Sequence, residues 1–426
     1  MSQARILIVG NGGREHALTW ALSQSPQVGE IVIASGNAGT SQLGKNIAIS
    51  PEDIPALVAF AQENPFDLVV VGPEVPLALG LTDELQKIGL RVFGPMRASA
   101  QIESSKAFAK QLMIEKNIPT AQYAEFTDEA SARGYLQTCQ HPVVIKADGL
   151  AAGKGVVVCD NEEQAQDALN FIIHTGGFGD ASSKIIIEER LYGVEASLLA
   201  FCDGKTLSLM PPARDHKRAL DGDNGANTGG MGAFAPIADL SADDLAYIQK
   251  TIMQPMVDAL AERGTPFVGI LYAGLMLTKD GAKVLEYNAR FGDPETQVIL
   301  PLLDTDLYEI LTACVDGRLS ELTIHWKNAS CATVVLASGG YPASYPKGLP
   351  ITGLEAVSGD VMVFHAGTSH SQEAVVVTSG GRVLAVSAIG DTLKSALDTA
   401  YDNITKIHFD GMHYRKDIGR TAGGLP

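Results

Sequence analysis

The chain has 426 residues, 46% hydrophobic and 19% charged, which fits roughly three domains and excludes a disordered or fibrous protein. Its 32 basic and 49 acidic residues give a formal net charge of −17, which argues against general binding to nucleic acid. Five scattered cysteines predict reduced thiols in a cytoplasmic protein. The longest apolar run, 267–277, is too short for a bilayer, and the N-terminal residues predict no secretory signal. We therefore expect no nucleic-acid or membrane partner, although a local basic pocket could still hold a small anion, and no obligate protein partner is evident.

Strand and helix signals alternate along the first hundred residues. Apolar runs predict strands at 5–9, 31–34 and 67–71, and helical spacing begins at Ala17. This alternation predicts an N-terminal doubly wound parallel sheet of the α/β class. A helix is predicted near 105–115.

The character of the sequence changes after residue 120, where short strand signals become frequent. The pattern predicts strands at 143–146, 156–159, 185–189, 195–201, 207–210, 267–277 and 283–290. Residues 211–236 are rich in Gly and Asn and predict a long loop, which at this length is usually either functional or disordered. The residues after 330 predict a separate small α+β unit whose last helix begins at Asp391.

The first motif is Gly10-Asn-Gly-Gly-Arg-Glu-His16, between the first strand and the first helix. Glycines let the backbone approach a ligand, and a helix N-terminus attracts an anion. A dinucleotide fingerprint needs a glycine where Glu15 stands, so NAD is disfavoured. A substrate phosphate and a tight turn without a ligand remain equally open.

The second motif is Lys146-Ala-Asp-Gly-Leu-Ala-Ala-Gly-Lys-Gly155, which lies between two predicted strands. A P-loop requires different glycine spacing and a following helix, so it is excluded. Protein kinases also place a glycine loop between strands, but their catalytic motifs do not follow here. We interpret the motif as a hairpin loop that covers phosphates, with Lys146 and Lys154 as cations. The alternative is a flexible surface hairpin.

The charged residues of two further segments each allow two interpretations. Residues 188–195 contain acidic groups at a strand end, where adenine and ribose could bind, although acidic surface loops are common. The basic cluster 214–218 and the glycine-rich 227–232 suit an anionic ligand or transition state. A solvated charged loop explains that cluster equally well.

The most informative motif is the predicted strand that contains Glu286, Asn288 and Arg290. Side chains alternate along a strand, so these three residues should share one face. Carboxylate and amide oxygens suit Mg²⁺, and a guanidinium beside them can neutralise a phosphoryl group in transfer. The alternative is an exposed polar face with an ion pair.

Together these motifs resemble the ATP-grasp superfamily and, over nearly the whole chain, the glycinamide ribonucleotide synthetase family, also called phosphoribosylamine–glycine ligases. The matching segments include Gly12–Ala17, 36–40, 71–74, 105–108, 146–155, 215–218, 227–232, 288–295 and Gly411–Arg415. Tyr272 departs from the pattern, because several ATP-grasp relatives carry a second metal-binding glutamate there. Arg214 and Val75 also differ from the residues usual in the family.

The resemblance implies a ligase that uses ATP to convert glycine to glycyl phosphate. The amine of 5-phosphoribosylamine then displaces phosphate and gives glycinamide ribonucleotide, an early intermediate of purine synthesis. It implies Mg²⁺ or Mn²⁺ bound by Glu286 and Asn288. It also implies an N-terminal domain at 1–104, an ATP-grasp domain at 105–320 with a lid at about 122–190, and a C-terminal domain at 328–426. Because the chain ends soon after that domain, we expect it to be monofunctional.

The resemblance also assigns residues to the two binding regions. It implies catalytic roles for Arg290, Lys217 and Asp215. The implied ATP contacts are Lys106, Lys146, Gly149, Gly153, Lys154, Gly155, Glu188, Glu189, Leu191 and Glu195. The implied substrate contacts are Gly12, Gly13, Arg14, Asn37, Gly39, Thr40, Pro73, Glu74, Asp215, Lys217, Arg290, Asp293, Pro294 and Glu295.

Three rival functions follow from the same motifs. Another ATP-grasp ligase, such as a purine carboxylase subunit or a formate-dependent transformylase, would depend on bicarbonate or formate. An NAD oxidoreductase lacks its third glycine. A nucleotide sensor would bind ATP without turnover, which the intact face of Glu286, Asn288 and Arg290 argues against.

Overall fold

The computed structural model describes residues 3–150, 155–175 and 184–420. The N-terminal segment is a five-stranded parallel sheet in the order β3-β2-β1-β4-β5, which confirms the predicted doubly wound fold. Its strands are β1 (Ala4–Gly10), β2 (Val28–Ser35), β3 (Lys45–Ile47), β4 (Leu68–Val71) and β5 (Val92–Phe93). Its helices are α1 (Gly13–Ser23), α2 (Ile54–Glu63), α3 (Glu74–Leu79), α4 (Leu81–Lys87) and α5 (Arg97–Ser104).

A smaller antiparallel sheet follows, with the order β6-β9-β7-β8 and its own apolar core. Its strands are β6 (Tyr123–Phe126), β7 (Val143–Ala147), β8 (Val156–Cys159) and β9 (Ile185–Glu189). The helices of this region are α6 (Lys106–Glu115), α7 (Glu129–Leu136) and α8 (Glu162–Asn170). The predicted glycine loop therefore connects two paired strands, β7 and β8, as expected.

The next segment contains a second antiparallel sheet, with the order β11-β10-β16-β17. The strands of this segment are β10 (Val194–Asp203), β11 (Leu207–Leu209), β12 (Arg214–Asp215), β13 (Arg218–Leu220), β14 (Asn224–Asn227), β15 (Gly232–Ala235), β16 (Val268–Thr278) and β17 (Gly281–Asn288). Its helices are α9 (Ala242–Ile248), α10 (Gln254–Glu262), α11 (Thr296–Ile299) and α12 (Leu307–Val315). The prediction of a long loop at 211–236 was wrong, because its short extended pieces, β12 to β15, pair with strands from elsewhere in the chain or with each other.

The C-terminal segment completes a sheet that it shares with the preceding segment. It contributes β18 (Ser330–Ala337), β19 (Met362–His365), β20 (Thr368–His370), β21 (Val376–Thr378), β22 (Arg382–Gly390) and α13 (Leu393–Ile404). This antiparallel sheet runs β12-β15-β18-β22-β19, so two of its strands come from before residue 236. The predicted separate unit is thus joined to the middle of the chain by backbone hydrogen bonds. No helix in the described ranges is long and apolar enough to cross a membrane.

A buried histidine joins the first and last segments. His16 on α1 accepts a hydrogen bond through Nδ1 from the backbone N–H of His365, at 2.7 Å. Its ring packs edge-on against Phe364, with centroids 5.7 Å apart. Burial, and to a smaller extent His365, lowers the pKa of His16 to about 3. The contact therefore requires a neutral imidazole.

This contact predicts a pH-dependent contribution to stability. In the unfolded chain His16 has its ordinary pKa of 6.5, so acid favours unfolding, and the contribution is lost as pH falls from 6.5 towards 3. Below pH 6.5, the difference in free energy of unfolding between wild type and His16→Gln should therefore shrink. We expect this change to reach up to about 1.4 kcal/mol per pH unit. Urea denaturation at several pH values measures this difference. A difference that does not change with pH would contradict it, and the exposed His408→Gln serves as the control variant.

Candidate functional site

A cavity of about 1170 Å³ lies where the segments meet. Its wall combines α5 and α6, the β7–β8 connection, the ends of β9 and β10, the hairpin of β13 and β14, β17, and residues 341–345 of the C-terminal segment. Nearly every part of the described fold thus contributes to one space, which identifies it as the candidate active site.

One end of the cavity holds a buried carboxylate between two lysines. Glu188 Oε2 lies 2.9 Å from Nζ of Lys146, and its Oε1 lies 3.1 Å from Nζ of Lys110. All three side chains are at most 8% exposed. Burial lowers the pKa of Lys110 to about 8, although Glu188 opposes that shift. Sequence reasoning missed Lys110, because one lysine on an amphipathic helix carries no local signal.

The glycine loop begins beside these lysines. Lys106 at the start of α6 donates a hydrogen bond from Nζ to the carbonyl of Gly149, at 2.8 Å. Burial lowers the pKa of Lys106, although Glu286 opposes that shift. Gly155 also lines the cavity, whereas Gly153 and Lys154 lie outside the described residues. Lys106 and Lys146 therefore face the space that the loop borders.

The predicted adenine and ribose segment borders the same end. Glu189, Leu191 and Glu195 all line the cavity. Glu195 Oε2 lies 2.9 Å from Nζ of Lys217, and this carboxylate is the largest cause that raises the pKa of Lys217. The positive charge of that lysine is thus held inside the cavity.

Glu286 and Asn288 lie side by side on the cavity wall at the end of β17, as the strand alternation predicted. Burial favours a protonated Glu286, but the positive charges of Lys217, Lys146 and other cations outweigh it and lower the pKa. No group of the described chain donates a hydrogen bond to the Glu286 carboxylate. A half-buried anion that lines the cavity fits a hard divalent cation.

Arg290 does not lie on the strand, which corrects the predicted geometry. β17 ends at Asn288, and the chain turns before Arg290. The guanidinium nevertheless reaches the same place, since its Nη2 donates to Asn288 Oδ1 at 3.2 Å. Carboxylates from two other helices contact it: Glu103 Oε1 at 2.9 Å and Glu74 Oε2 at 3.3 Å. The positive charge of Arg290 therefore stands beside the candidate metal ligands.

The metal ligands are few within the described ranges. No group of three or more His, Cys, Asp or Glu side chains converges on one point there. Glu286 and the amide oxygen of Asn288 would leave most of an octahedral shell to phosphate oxygens and water, as is usual for Mg²⁺.

Tyr272, which was noted as a departure from the family pattern, belongs to a buried polar cluster. Its hydroxyl lies 2.6 Å from Glu295 Oε1 and 2.8 Å from the hydroxyl of Ser197. Asp215 borders this cluster, where burial raises its pKa to about 7 against the opposing charge of Lys217. Asp215 can therefore accept or release a proton near neutral pH.

The C-terminal segment fixes the opposite wall. The hydroxyl of Tyr341 accepts a hydrogen bond from the backbone N–H of Gly229 at 3.0 Å. Arg382 donates to the carbonyls of Gly229 and Asp293, the latter at 2.9 Å. Tyr341, Gly229, Asp293 and Arg382 all line the cavity. Sequence reasoning missed Tyr341 and Arg382, because their contacts are with residues far away in the chain.

The C-terminal motif Gly411–Arg415 has a supporting role in this wall. The fully buried Arg415 lies 2.7 Å from the carboxylate of Asp223 and donates to the carbonyl of Arg218 at 3.1 Å. Asp417 accepts from Nε of Arg415 at 2.8 Å. The motif thus holds the hairpin of β13 and β14, which borders the cavity.

The predicted substrate residues of the first segment and of 293–295 divide into two groups. Arg14 and Glu74 line the cavity, together with Asp293 and Glu295. The cavity wall does not include the remaining ones: Gly12, Gly13, Asn37, Gly39, Thr40, Pro73 and Pro294.

Internal hydrogen bonds occupy two of the features that were expected to bind substrate. The carboxylate of Glu15 accepts from the N–H of Gly12 at 2.6 Å, so it takes the place of an anion at the start of α1. Asn37 donates to the carbonyls of Asn11 and His365, at 3.0 and 2.8 Å. Substrate binding by these residues stays a prediction.

Comparisons with known proteins agree with this architecture. Family models described as the N, ATP-grasp (A) and C domains of phosphoribosylglycinamide synthetase match residues 4–103, 104–296 and 331–421. A phosphoribosylamine–glycine ligase of Nostoc sp. is 52% identical over 420 residues, which covers 97% of this chain and 99% of the relative. The crystal structure of a phosphoribosylamine–glycine ligase from Thermotoga maritima is 33% identical, with a TM-score of 0.86, and covers 97% of this chain and 100% of that one.

A longer relative also matches. A trifunctional purine biosynthetic protein adenosine-3 of Gallus gallus is 51% identical over 423 residues. The match covers 98% of this chain but 42% of that protein, so the chain spans less than half the length of this relative. The ATP-grasp family uses ATP together with divalent metal ions.

The arrangement of Glu286 and Asn288 predicts metal binding. Glu286→Gln keeps the shape and removes the anionic ligand, so Mn²⁺ affinity in the presence of a non-hydrolysable ATP analogue should fall at least about tenfold. Electron paramagnetic resonance of free Mn²⁺ measures this affinity. Glu115→Gln, in an exposed ion pair with Arg263, is the matched control and should bind as wild type does. Equal affinity of all three proteins would refute the assignment.

Proposed function

The chain belongs to the phosphoribosylglycinamide synthetase family, and we propose that it joins glycine to 5-phosphoribosylamine with conversion of ATP to ADP and phosphate. The product is glycinamide ribonucleotide, a purine precursor. The observation that carries this proposal is the placement of Glu286, Asn288 and Arg290 on a cavity that also contains Lys106 and Lys146. Such a set suits transfer of a phosphoryl group to a carboxylate.

The chemistry proceeds in two displacements. A carboxylate oxygen of glycine attacks the γ-phosphorus of ATP, and the bond to the β-phosphate oxygen breaks, which gives glycyl phosphate and ADP. The amine of phosphoribosylamine then attacks the carbonyl carbon, and phosphate leaves with one glycine oxygen. The nucleophilic amine loses a proton, for which we propose Asp215 as acceptor, because its raised pKa lies near 7.

The cations of the chain bind and orient the anionic groups. Lys106 and Lys146 are proposed to contact the ATP phosphates, as are Gly153 and Lys154, which the structure does not describe. Arg290 and Lys217 face the transferred phosphoryl group and neutralise its charge. A Mg²⁺ or Mn²⁺ ion held by Glu286 and Asn288 would add further charge neutralisation.

The remaining assignments are proposals of the same kind. Adenine and ribose bind along 188–195, and phosphoribosylamine binds on the side of Arg14, Glu74 and Asp293. The domains run over 1–104, 105–320 and 328–426, with a lid at about 122–190. We also propose a cytoplasmic location, to which the five unpaired cysteines are suited.

A phosphate-release assay tests the proposal. With ATP, Mg²⁺ and fresh phosphoribosylamine, release should require glycine and should not respond to bicarbonate or formate in its place. Release that depends on bicarbonate or formate would instead establish another ATP-grasp ligase. ATP binding without release under all conditions would establish a nucleotide sensor.

Isotope transfer tests the acyl phosphate. Glycine labelled with ¹⁸O in its carboxylate should pass one labelled oxygen to the released phosphate in each turnover. Arg290→Ala should slow this transfer by about 100-fold or more, while ATP affinity changes less, because the guanidinium acts on charge that develops during transfer. Mass spectrometry of the phosphate measures the transfer. Unlabelled phosphate would show that water is the nucleophile and that the proposed route is wrong.

A further inference from the structure

The carboxylate of Glu103 makes two contacts with the segment that carries Arg290. Its Oε2 accepts a hydrogen bond from the backbone N–H of Ala289 at 2.7 Å, and its Oε1 lies 2.9 Å from Nη2 of Arg290. The Glu103 side chain is only 8% exposed. A single buried side chain thus holds both the backbone and the guanidinium of this short turn.

The turn requires such support because it lies beyond the sheet. β17 ends at Asn288, so the ladder of backbone hydrogen bonds with β16 no longer holds Ala289 and Arg290. Glu103 comes from the C-terminal turn of α5, in the part of the chain that matches the N domain. The direction of the Arg290 guanidinium is therefore set by a residue from another domain.

Arg290 also donates from Nη1 to the carbonyl of Phe291 at 3.2 Å, but none of its other partners accepts from the N–H of Ala289 as Glu103 does. Glu74 reaches Nε from the more exposed side, at 3.3 Å, and makes no contact with the backbone of the turn. Asn288 offers one amide oxygen, which is also a candidate metal ligand. Burial raises the pKa of Glu103 to about 7, although Arg290 opposes that shift. The Glu103 carboxylate is thus most stable as an anion when Arg290 lies against it.

We propose that Glu103 is a positioning residue for Arg290: its carboxylate holds the guanidinium towards the phosphoryl group beside Glu286 and Asn288. The inference rests on the proposed ligase reaction, in which Arg290 stabilises the transferred group. Glu103 itself is not required to touch a substrate. Its removal should therefore affect turnover more strongly than binding.

Glu103→Gln separates these effects. Each carboxylate oxygen of Glu103 has its own partner, whereas the NH₂ group of an amide opposes one of the two donors, Ala289 and Arg290. We expect kcat for glycine-dependent phosphate release to fall about 10- to 100-fold, since small misplacements of catalytic groups have effects of this size. The KM for ATP should change less than about threefold, because the interactions that ATP makes equally in the ground state and the transition state are retained. Glu84→Gln, in an exposed pair with Lys87, should match wild type.

A double-mutant cycle tests whether Glu103 acts through Arg290. In the Arg290→Ala background, Glu103→Gln should reduce kcat by less than about threefold, because coupled residues are not additive. Reductions that multiply would show that Glu103 acts independently and would overturn the inference. An unchanged kcat in the single variant would overturn it as well.

Hydrogen exchange provides a readout that does not depend on the reaction. The amide of Ala289 should exchange at least about tenfold faster in Glu103→Ala, which has no acceptor, than in wild type, with the amides of β17 unchanged, since the lost bond is local. Equal exchange would refute the contact even if activity fell. Lack of glycine-dependent turnover in wild type would instead refute the proposed function, while this exchange result would still decide the role of Glu103.

Discussion

The positive charge of Arg290 organises the middle of the cavity. A buried guanidinium keeps its proton, so it must be surrounded by anions or by acceptors. Two carboxylates, Glu103 and Glu74, come from helices that precede residue 105, while Asn288 comes from β17. The site is complete only when these separate segments are packed together. The same packing sets the distance between the guanidinium and the candidate metal ligands.

The cavity also explains how an acidic chain can bind a polyanion. The net charge of −17 repels phosphate at long range, but the site concentrates Lys106, Lys146, Lys217 and Arg290 around a few buried carboxylates. These cations lower the pKa of Glu286 and favour its ionised form, which suits the metal site that we propose there. Local pairing, and not overall charge, therefore determines which ligands the cavity accepts.

The shared sheet gives the C-terminal segment a direct part in the site. β15 pairs with β18, and the chain just before β15 forms the hairpin of β13 and β14 and the turn at Gly229. The hydroxyl of Tyr341 and the side chain of Arg415 hold these pieces from the C-terminal side. A change in the last ninety residues can thus alter the cavity without contacting a ligand.

The sequence by itself determined the features that depend on local pattern. Apolar runs predicted the parallel strands, the glycine loop was placed between two strands, and alternation put Glu286 and Asn288 on one face. Only the tertiary structure decided that Arg290 lies beyond the strand, that Glu103 holds it, and that 211–236 forms strands. These features depend on partners distant in the chain, as in the contact of Glu103 with Arg290. Such contacts leave no periodicity or spacing in the sequence around either residue, so local patterns cannot predict them.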